Sequence, residues 1–343
     1  VQDTGTDGAM WALAVRGAPP PGPDDLAFAW TWRGAPHAYR RTDLADVVVA
    51  TAPLSEADAA KRIFDAAKPL NATGIPVLDA LASVARHLRE VVTRPAVKGE
   101  VSRRLAELLD EPVLRYCRAC KATHPYEMTF RLPALQGGLE LEPATSPPVL
   151  RRIPGLRPAL YRRLGTDADP RFDAVRGYLR FFGPARVSDV AGFLDAPVKD
   201  VKVHWPADVR EVDVADVEPS GKREPRFVLE ADADVLAAFG PDGGTRTVRL
   251  VAPYDPYLQL RDRETLVPEA ARRKELWPVL GRPGAILVNG EVAGTWRPRS
   301  AGSKLTVRIA LGAATTGQRA AVEDEARRLA DHRGVALAAV TED

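Results

Sequence analysis

Apolar residues recur with two different periods along the chain, and the changes of period divide it. Leu26, Phe28, Trp30 and Trp32 alternate with smaller residues, Gly34-Ala35-Pro36 supplies a turn and His37 to Arg41 returns, so Leu26 to Leu44 reads as a β-hairpin and a candidate wing. Ala9 to Arg16 before it carries helix formers, stopped by Gly17 and the proline-rich loop Pro19 to Pro23. From Ser55 the period becomes helical. Ser55-Glu56-Ala57-Asp58 reads as an N-cap with an acidic first turn, followed by Ile63, Phe64 and Ala67 on one face. Val77, Leu78, Leu81, Val84, Ala85 and Leu88 keep helical spacing from about Pro76 to Val92, and Val101, Leu105 and Leu108 do so from Lys98 to Leu109. Thr129 to Leu132 and Gly138 to Leu141 are expected to supply a hairpin after them. Helices followed by a hairpin are the winged helix-turn-helix order.

The same order recurs. Arg171 to Phe182, Arg186 to Leu194 and Pro197 to His204 predict three helices, and Val209 to Val214 with Arg226 to Leu229 bracket a charged, glycine-containing tip. Val198-Lys199-Asp200-Val201 then falls where a recognition helix would lie, which makes Lys199 and Lys202 candidate DNA contacts. The last hundred residues change character. Val248 to Val251, Ala285 to Val288, Glu291 to Trp296 and Leu305 to Ile309 read as strands, Asn289-Gly290 as a two-residue hairpin turn, and Gln318 to Arg333 as a closing helix.

The fold expected is therefore α+β: tandem winged helix-turn-helix modules with a C-terminal mixed β-sheet domain. Residues 1–50 would be the remainder of a first winged helix, because Val1-Gln2-Asp3-Thr4 runs into an apolar pattern as though cut inside a larger module. Residues 51–150 would form a second winged helix, 151–240 a third and 241–343 the β-rich domain.

Composition narrows the classes. The chain is 45% hydrophobic and 27% charged, with no run near the ~18 apolar residues that cross a membrane. Two cysteines cannot build a disulfide framework and no secretory segment opens the chain, which fits a reducing cytoplasm. A net charge of +2 conceals 48 Lys and Arg, clustered at Arg151-Arg152, Arg162-Arg163, Arg171, Arg176, Arg180 and Arg272-Arg273-Lys274. Phosphate contact competes here with ordinary solvated faces, and charge alone does not choose between them.

Candidate chemistry is sparse. Cys117-Arg118-Ala119-Cys120 followed by His124 has zinc-ligand spacing, but only three ligands are local where a structural site needs four; semi-buried cysteines beside a turn are the alternative. No G-x-S-x-G, P-loop or dinucleotide fingerprint occurs, so no cofactor is expected. The segment Tyr254-Asp255-Pro256-Tyr257 to Arg261-Asp262-Arg263 concentrates aromatics, acids and arginines as a pocket would. Arg261 and Arg263 can hold phosphates beside an extruded base, while Asp255 can equally anchor its own loop. Trp32, Arg33 and His37 can present an aromatic and basic groups to a DNA groove, although Trp30 and Trp32 also suit a core.

Together these residues resemble the winged-helix DNA glycosylases of the AlkZ and YcaQ type, which excise alkylated bases and unhook DNA interstrand crosslinks. The likeness covers nearly the whole chain and rests on four stretches: Gln2-Asp3-Thr4; Trp32, Gly34, His37 and Arg40; Tyr254 to Tyr257; and Gly290-Glu291-Val292-Ala293-Gly294-Thr295-Trp296-Arg297. It implies that Gln2 is the second member of a Gln-x-Gln or Gln-x-Asp catalytic motif and positions water at the sugar carbon of an N7-alkylated purine. It adds Arg40 and Arg297 to the DNA contacts, and Trp296 to the pocket. An alkylated base already carries positive charge and leaves readily, so orienting water suffices and a neutral amide can do it. No lysine nucleophile stands out, which favours a monofunctional enzyme, although 48 basic residues leave a Schiff-base lysine open; the resemblance implies a monomer acting on duplex DNA at the nucleoid. A non-catalytic winged-helix regulator and a zinc-dependent adaptor are the alternatives.

Overall fold

The computed structural model describes residues 1–5, 8–214, 224–238, 247–312 and 314–342. They divide into two compact units, one built from Pro21–Val214 with 224–230, the other from Val1–Pro20 with the described part of 231–343.

The first unit centres on a five-stranded antiparallel sheet. Its strand order is Pro36–Arg40, Leu26–Trp30, Leu139–Leu141, Val149–Arg152 and Ala96–Val97. The expected hairpin forms, with Leu26 opposite Arg40 and Trp30 opposite Pro36. Phe28 pairs with Leu141, so this hairpin shares its sheet with strands more than a hundred residues downstream.

Helices Glu56–Arg62 and Val77–Val91 lie over that sheet, and Trp30, Leu81, Leu88, Phe130, Leu139 and Leu150 form one core. Ser55 caps the first of these helices by accepting from the Asp58 N–H, as its sequence predicts. Glu56 acts elsewhere: its carboxylate receives the N–H groups of Val77 and Leu78 and so caps the long helix, whose first residue follows a proline. At the other end Arg152 donates to the carbonyls of Arg89 and Val92. Both ends of Val77–Val91 are thus closed by tertiary contacts. Its buried Val77, Leu81, Val84, Ala85 and Leu88 supply the adhesion, and truncating Leu88 to Ala would cost roughly 2–5 kcal/mol.

Three expectations in this region need correction. Thr129 to Leu132 is not a strand; Glu127–Arg131 is a helix, held by an Arg131–Glu127 ion pair one turn apart with Phe130 buried. The hairpin is instead Leu114–Cys117 with Ala122–Pro125. Phe64 and Leu108 are 54% and 46% exposed rather than core-facing, because Phe64 breaks the helix at φ 48° and Leu108 lies beyond the helix ending at Ala106.

Ala174–Phe182, Val187–Leu194 and Val198–Val203 are helices and Val209–Val212 pairs with Arg226–Leu229, in the order expected. They enclose a core of Val175, Leu179, Val190, Leu194, Val201 and Leu229. The charged tip expected between these strands lies, at 215–223, outside the described residues.

The second unit is a five-stranded mixed sheet in the order Val248–Val251, Gly284–Val288, Glu291–Ala301, Lys304–Leu311 and Ala336–Glu342. The first four strands pair antiparallel; the last, which the sequence reading missed, runs parallel to its neighbour after the covering helix Thr316–His332. Asn289 and Gly290 adopt φ 54° and 87°, the geometry their pairing predicts for a tight hairpin turn. Helix Gly8–Ala14 belongs to this unit: Trp11 is fully buried and its indole donates to the Leu250 carbonyl at 2.7 Å. Helix Glu230–Ala238 had no counterpart in the expected elements.

Candidate nucleic-acid interface

In the first unit the hairpin cations are already engaged. Arg33 sits at φ 56° in the turn, donates to the Phe193 carbonyl and stacks over the Phe193 ring at 4.7 Å, which ties the hairpin to helix Val187–Leu194. Trp32 packs on the core of that three-helix group, with the Arg62 guanidinium 5.3 Å from its ring centre. His37 is buried, its Nδ1 3.0 Å from both the Thr31 hydroxyl and the Ala35 carbonyl. Burial lowers its pKa to about 3, so the ring is neutral at physiological pH and offers DNA no charge. Arg40 differs: its side chain is 75% exposed and, among the described residues, pairs with Asp43 on the surface.

The short helix Val198–Val203 buries Val201 and turns Val198, Lys199, Lys202 and Val203 to solvent. Neither lysine has a hydrogen-bond or ion-pair partner among the described residues. Many arginines of the basic runs are not available in this way. Arg151 and Arg41 neutralise buried Glu140, Arg176 grips Asp208 and Arg171 pairs with Asp169.

In the second unit the segment from Tyr254 folds as a short 3-10 turn, Pro256–Gln259, capped by Asp255, which accepts the Tyr257 N–H at 2.9 Å. Asp255 is 1% exposed and bound through both oxygens by Arg16 at 2.7 and 2.8 Å. It is therefore the anchor of its own loop. The Tyr257 hydroxyl donates to the Gly290 carbonyl and so ties this loop to the hairpin turn.

Beyond the turn, Arg261, Arg263 and Arg282 converge. The Arg263 pKa is lowered by burial first and then by those two neighbouring cations. Aromatic faces hold two of the three: Arg263 lies 4.9 Å from the Trp277 ring centre and Arg282 5.4 Å from that of Tyr254. Repelling guanidiniums on aromatic supports are suited to an external anion. Next to Arg282 the loop presents Val279 and Leu280, 94% and 85% exposed, and Arg297 secures it by donating to the Gly281 carbonyl at 2.7 Å. Val279, Leu280 and Arg282 are not among the residues that the sequence singles out. Two adjacent aliphatics between prolines and arginines were the available signal.

Trp296 is core, 1% exposed, with its indole donating to the Val251 carbonyl at 2.9 Å. Its strand neighbour Gly294 allows the next strand to close in, since a Cβ there would lie 2.3 Å from the Ala310 carbonyl oxygen. A groove of about 300 Å³ crosses this sheet, lined by Val292, Gly294, Leu311 and Arg272.

Gln2 is buried at 9% exposure. Its amide nitrogen donates to the Thr4 hydroxyl at 3.0 Å, and its Oε1 has no hydrogen-bond partner among the described residues. A buried, unsatisfied carbonyl acceptor costs on the order of 1–3 kcal/mol and is a natural docking point for a water proton.

Cys117, Cys120 and His124 gather at the hairpin Leu114–Pro125, their ligand atoms all within 4.8 Å of one another. The Cys117 thiol is lowered to about 6, first by the backbone N–H of Cys120 and then by the His124 side chain.

No curated protein sequence matches the chain. Among solved structures it is similar to the Streptomyces sahachiroi DNA glycosylase AlkZ, with a TM-score of 0.67 at 19% identity, over 98% of this chain and 90% of that one. The sequence profile described as DNA glycosylase AlkZ-like matches residues 15–332, nearly the whole of the described fold. The chain belongs to the AlkZ-like DNA glycosylase family.

Proposed function

We propose that this protein hydrolyses the N-glycosidic bond of N7-alkylated purines in duplex DNA, or unhooks interstrand crosslinks formed at such bases, as a monofunctional and monomeric enzyme acting at the nucleoid. Gln2 is the catalytic residue in this reading, and its buried, unpartnered Oε1 is the observation that carries it. That oxygen accepts a hydrogen bond from a water and aims the water's lone pair at the sugar carbon; the new C–O bond replaces the C–N bond to the departing base, and the water's surplus proton passes to solvent. The cationic base departs without an acid, and the developing oxocarbenium is short-lived enough that orientation is the main demand.

Duplex binding is assigned to three surfaces. Arg261, Arg263 and Arg282 meet phosphates; Val279 and Leu280 are placed to wedge beside an extruded base; Lys199 and Lys202 face DNA from helix Val198–Val203, with Arg40 as a further backbone contact. The order of three helices and a strand pair over 174–229 supports reading that stretch as a winged helix.

The test is release of an N7-alkylated guanine from duplex DNA. Gln2→Ala is expected to slow single-turnover release by roughly 100-fold or more while leaving duplex affinity near that of the parent. Equal release by variant and parent overturns the role of Gln2. The outward-facing Lys199, Lys202 and Val203 favour a second reading, a binder of an undamaged site; specific binding with no base release from any lesion would establish that instead.

A further inference from the structure

The hairpin Leu114–Pro125 carries a ligand set that the glycosylase reading does not use. Its register sets Cys117 opposite Ala122 and Arg115 opposite His124, so Cys117 and His124 are diagonal neighbours on one face of the pair. The loop Arg118–Lys121 closes with Lys121 at φ 53°, a left-handed turn that folds Cys120 back toward Cys117. The resulting ligand atoms, two sulfurs and one imidazole nitrogen, lie within 4.8 Å of one another.

Two details match a metal site rather than a chance cluster. His124 Nδ1 donates to the Pro125 carbonyl at 2.8 Å, which fixes the tautomer and leaves Nε2 with its lone pair, the usual outer contact of a metal-ligating histidine. The Cys117 sulfur receives the backbone N–H groups of Cys120 and Ala119, the contacts that steady a thiolate ligand. Soft sulfur with imidazole in this number selects zinc over magnesium or calcium.

We propose that Cys117, Cys120 and His124 bind one zinc ion at the tip of this hairpin. No fourth His, Cys, Asp or Glu joins the cluster among the described residues, so water completes the tetrahedron. Binding sends the thiol protons to solvent and leaves the ion clamping the loop between its two strands. The claim is independent of the glycosylase activity.

The full chain, reduced and stripped of metal, is titrated with zinc and in parallel with cobalt(II). One ion per chain is expected, with cobalt giving tetrahedral d–d bands and a thiolate charge-transfer band. Cys117→Ser and Cys120→Ser should each weaken binding by about 100-fold or more, His124→Ala should weaken it and alter the d–d bands, and Arg118→Ala should bind as the parent does. Zinc should also slow tryptic cleavage after Arg118 and Lys121 in the parent but not in Cys120→Ser. Far-ultraviolet circular dichroism and melting confirm that each variant is folded. Sub-stoichiometric uptake by protein with a full thiol titre, six-coordinate cobalt without a thiolate band, or equal losses in Arg118→Ala would overturn the proposal.

Discussion

The first hairpin and the loop from Tyr254 to Arg282 both offer arginines and aromatics, yet the structure treats them oppositely. In the hairpin, Arg33 is bound to the Phe193 carbonyl and ring, and His37 is buried and neutral. In the loop, Arg263 and Arg282 stack on Trp277 and Tyr254, and the charges of Arg261 and Arg282 bear on Arg263. Charge counts toward an interface where it is concentrated against like charge, as at Arg263, and not where burial removes it, as at His37.

The largest effect expected within this contrast concerns Arg16. It holds the Asp255 carboxylate that shapes the cationic loop, so Arg16→Ala leaves that acid with only the Tyr257 N–H and, because Arg16 is itself 39% exposed, should cost about 2–3 kcal/mol in urea unfolding. A loss under 1 kcal/mol would mean that the loop does not depend on the pair. Next, Arg261→Ala with Arg263→Ala should weaken duplex binding by roughly tenfold per residue and make the salt dependence shallower by about 1.8 logarithmic units, a change of slope that loss of the Arg263–Trp277 stacking alone would not produce. An unchanged salt slope would show that these cations do not meet phosphate.

The mirror test is Arg33→Ala. It should lose about 2 kcal/mol of stability, from the carbonyl hydrogen bond and the cation–π contact, with duplex affinity and salt slope unaltered. Reduced affinity at constant stability would erase the contrast. The smallest effect is in pH. His37 has its folded pKa far below the ordinary 6.5, so the fold is unaffected above 6.5 and loses stability as pH falls from there toward 3, on the order of 1 kcal/mol by pH 6. His204 runs the other way. Its pKa is raised by Asp173, so its contribution is full below 6.5 and is lost as pH rises through the raised value. Chemical denaturation against pH should show His37→Gln flattening the acid limb and leaving the alkaline one.

Features set by neighbours in sequence were legible in advance. Ser55 caps its helix, Asn289-Gly290 turns its hairpin, and Val77–Val91 buries the stripe its spacing marks. What failed depended on distant partners. Thr129 to Leu132 looks extended by residue type, but a helix lets Phe130 reach Trp30 and Arg131 reach the Gly34 carbonyl. The pairing of Phe28 with Leu141 and the strand Ala336–Glu342 leave no local trace. The site divides in the same way. Tyr254 to Arg263 stood out by density, yet Asp255 proved an anchor and Trp296 a core residue, because burial and partners are properties of the fold. Arg282 comes to Arg263 from outside that segment and could not be read beside it.

The union of Val1–Pro20 with the chain's far end also bears on biogenesis. Trp11 must find the carbonyl of Leu250 and a core that includes Leu329, so this segment cannot be fully buried until more than 300 residues have followed it. At about 5–20 residues per second that wait lasts tens of seconds, during which Pro21–Val214 can condense on its own. The residues around Trp11 are made long before the strands that cover them, so a chain arrested ahead of Leu250 would display a folded body with this stretch still undocked.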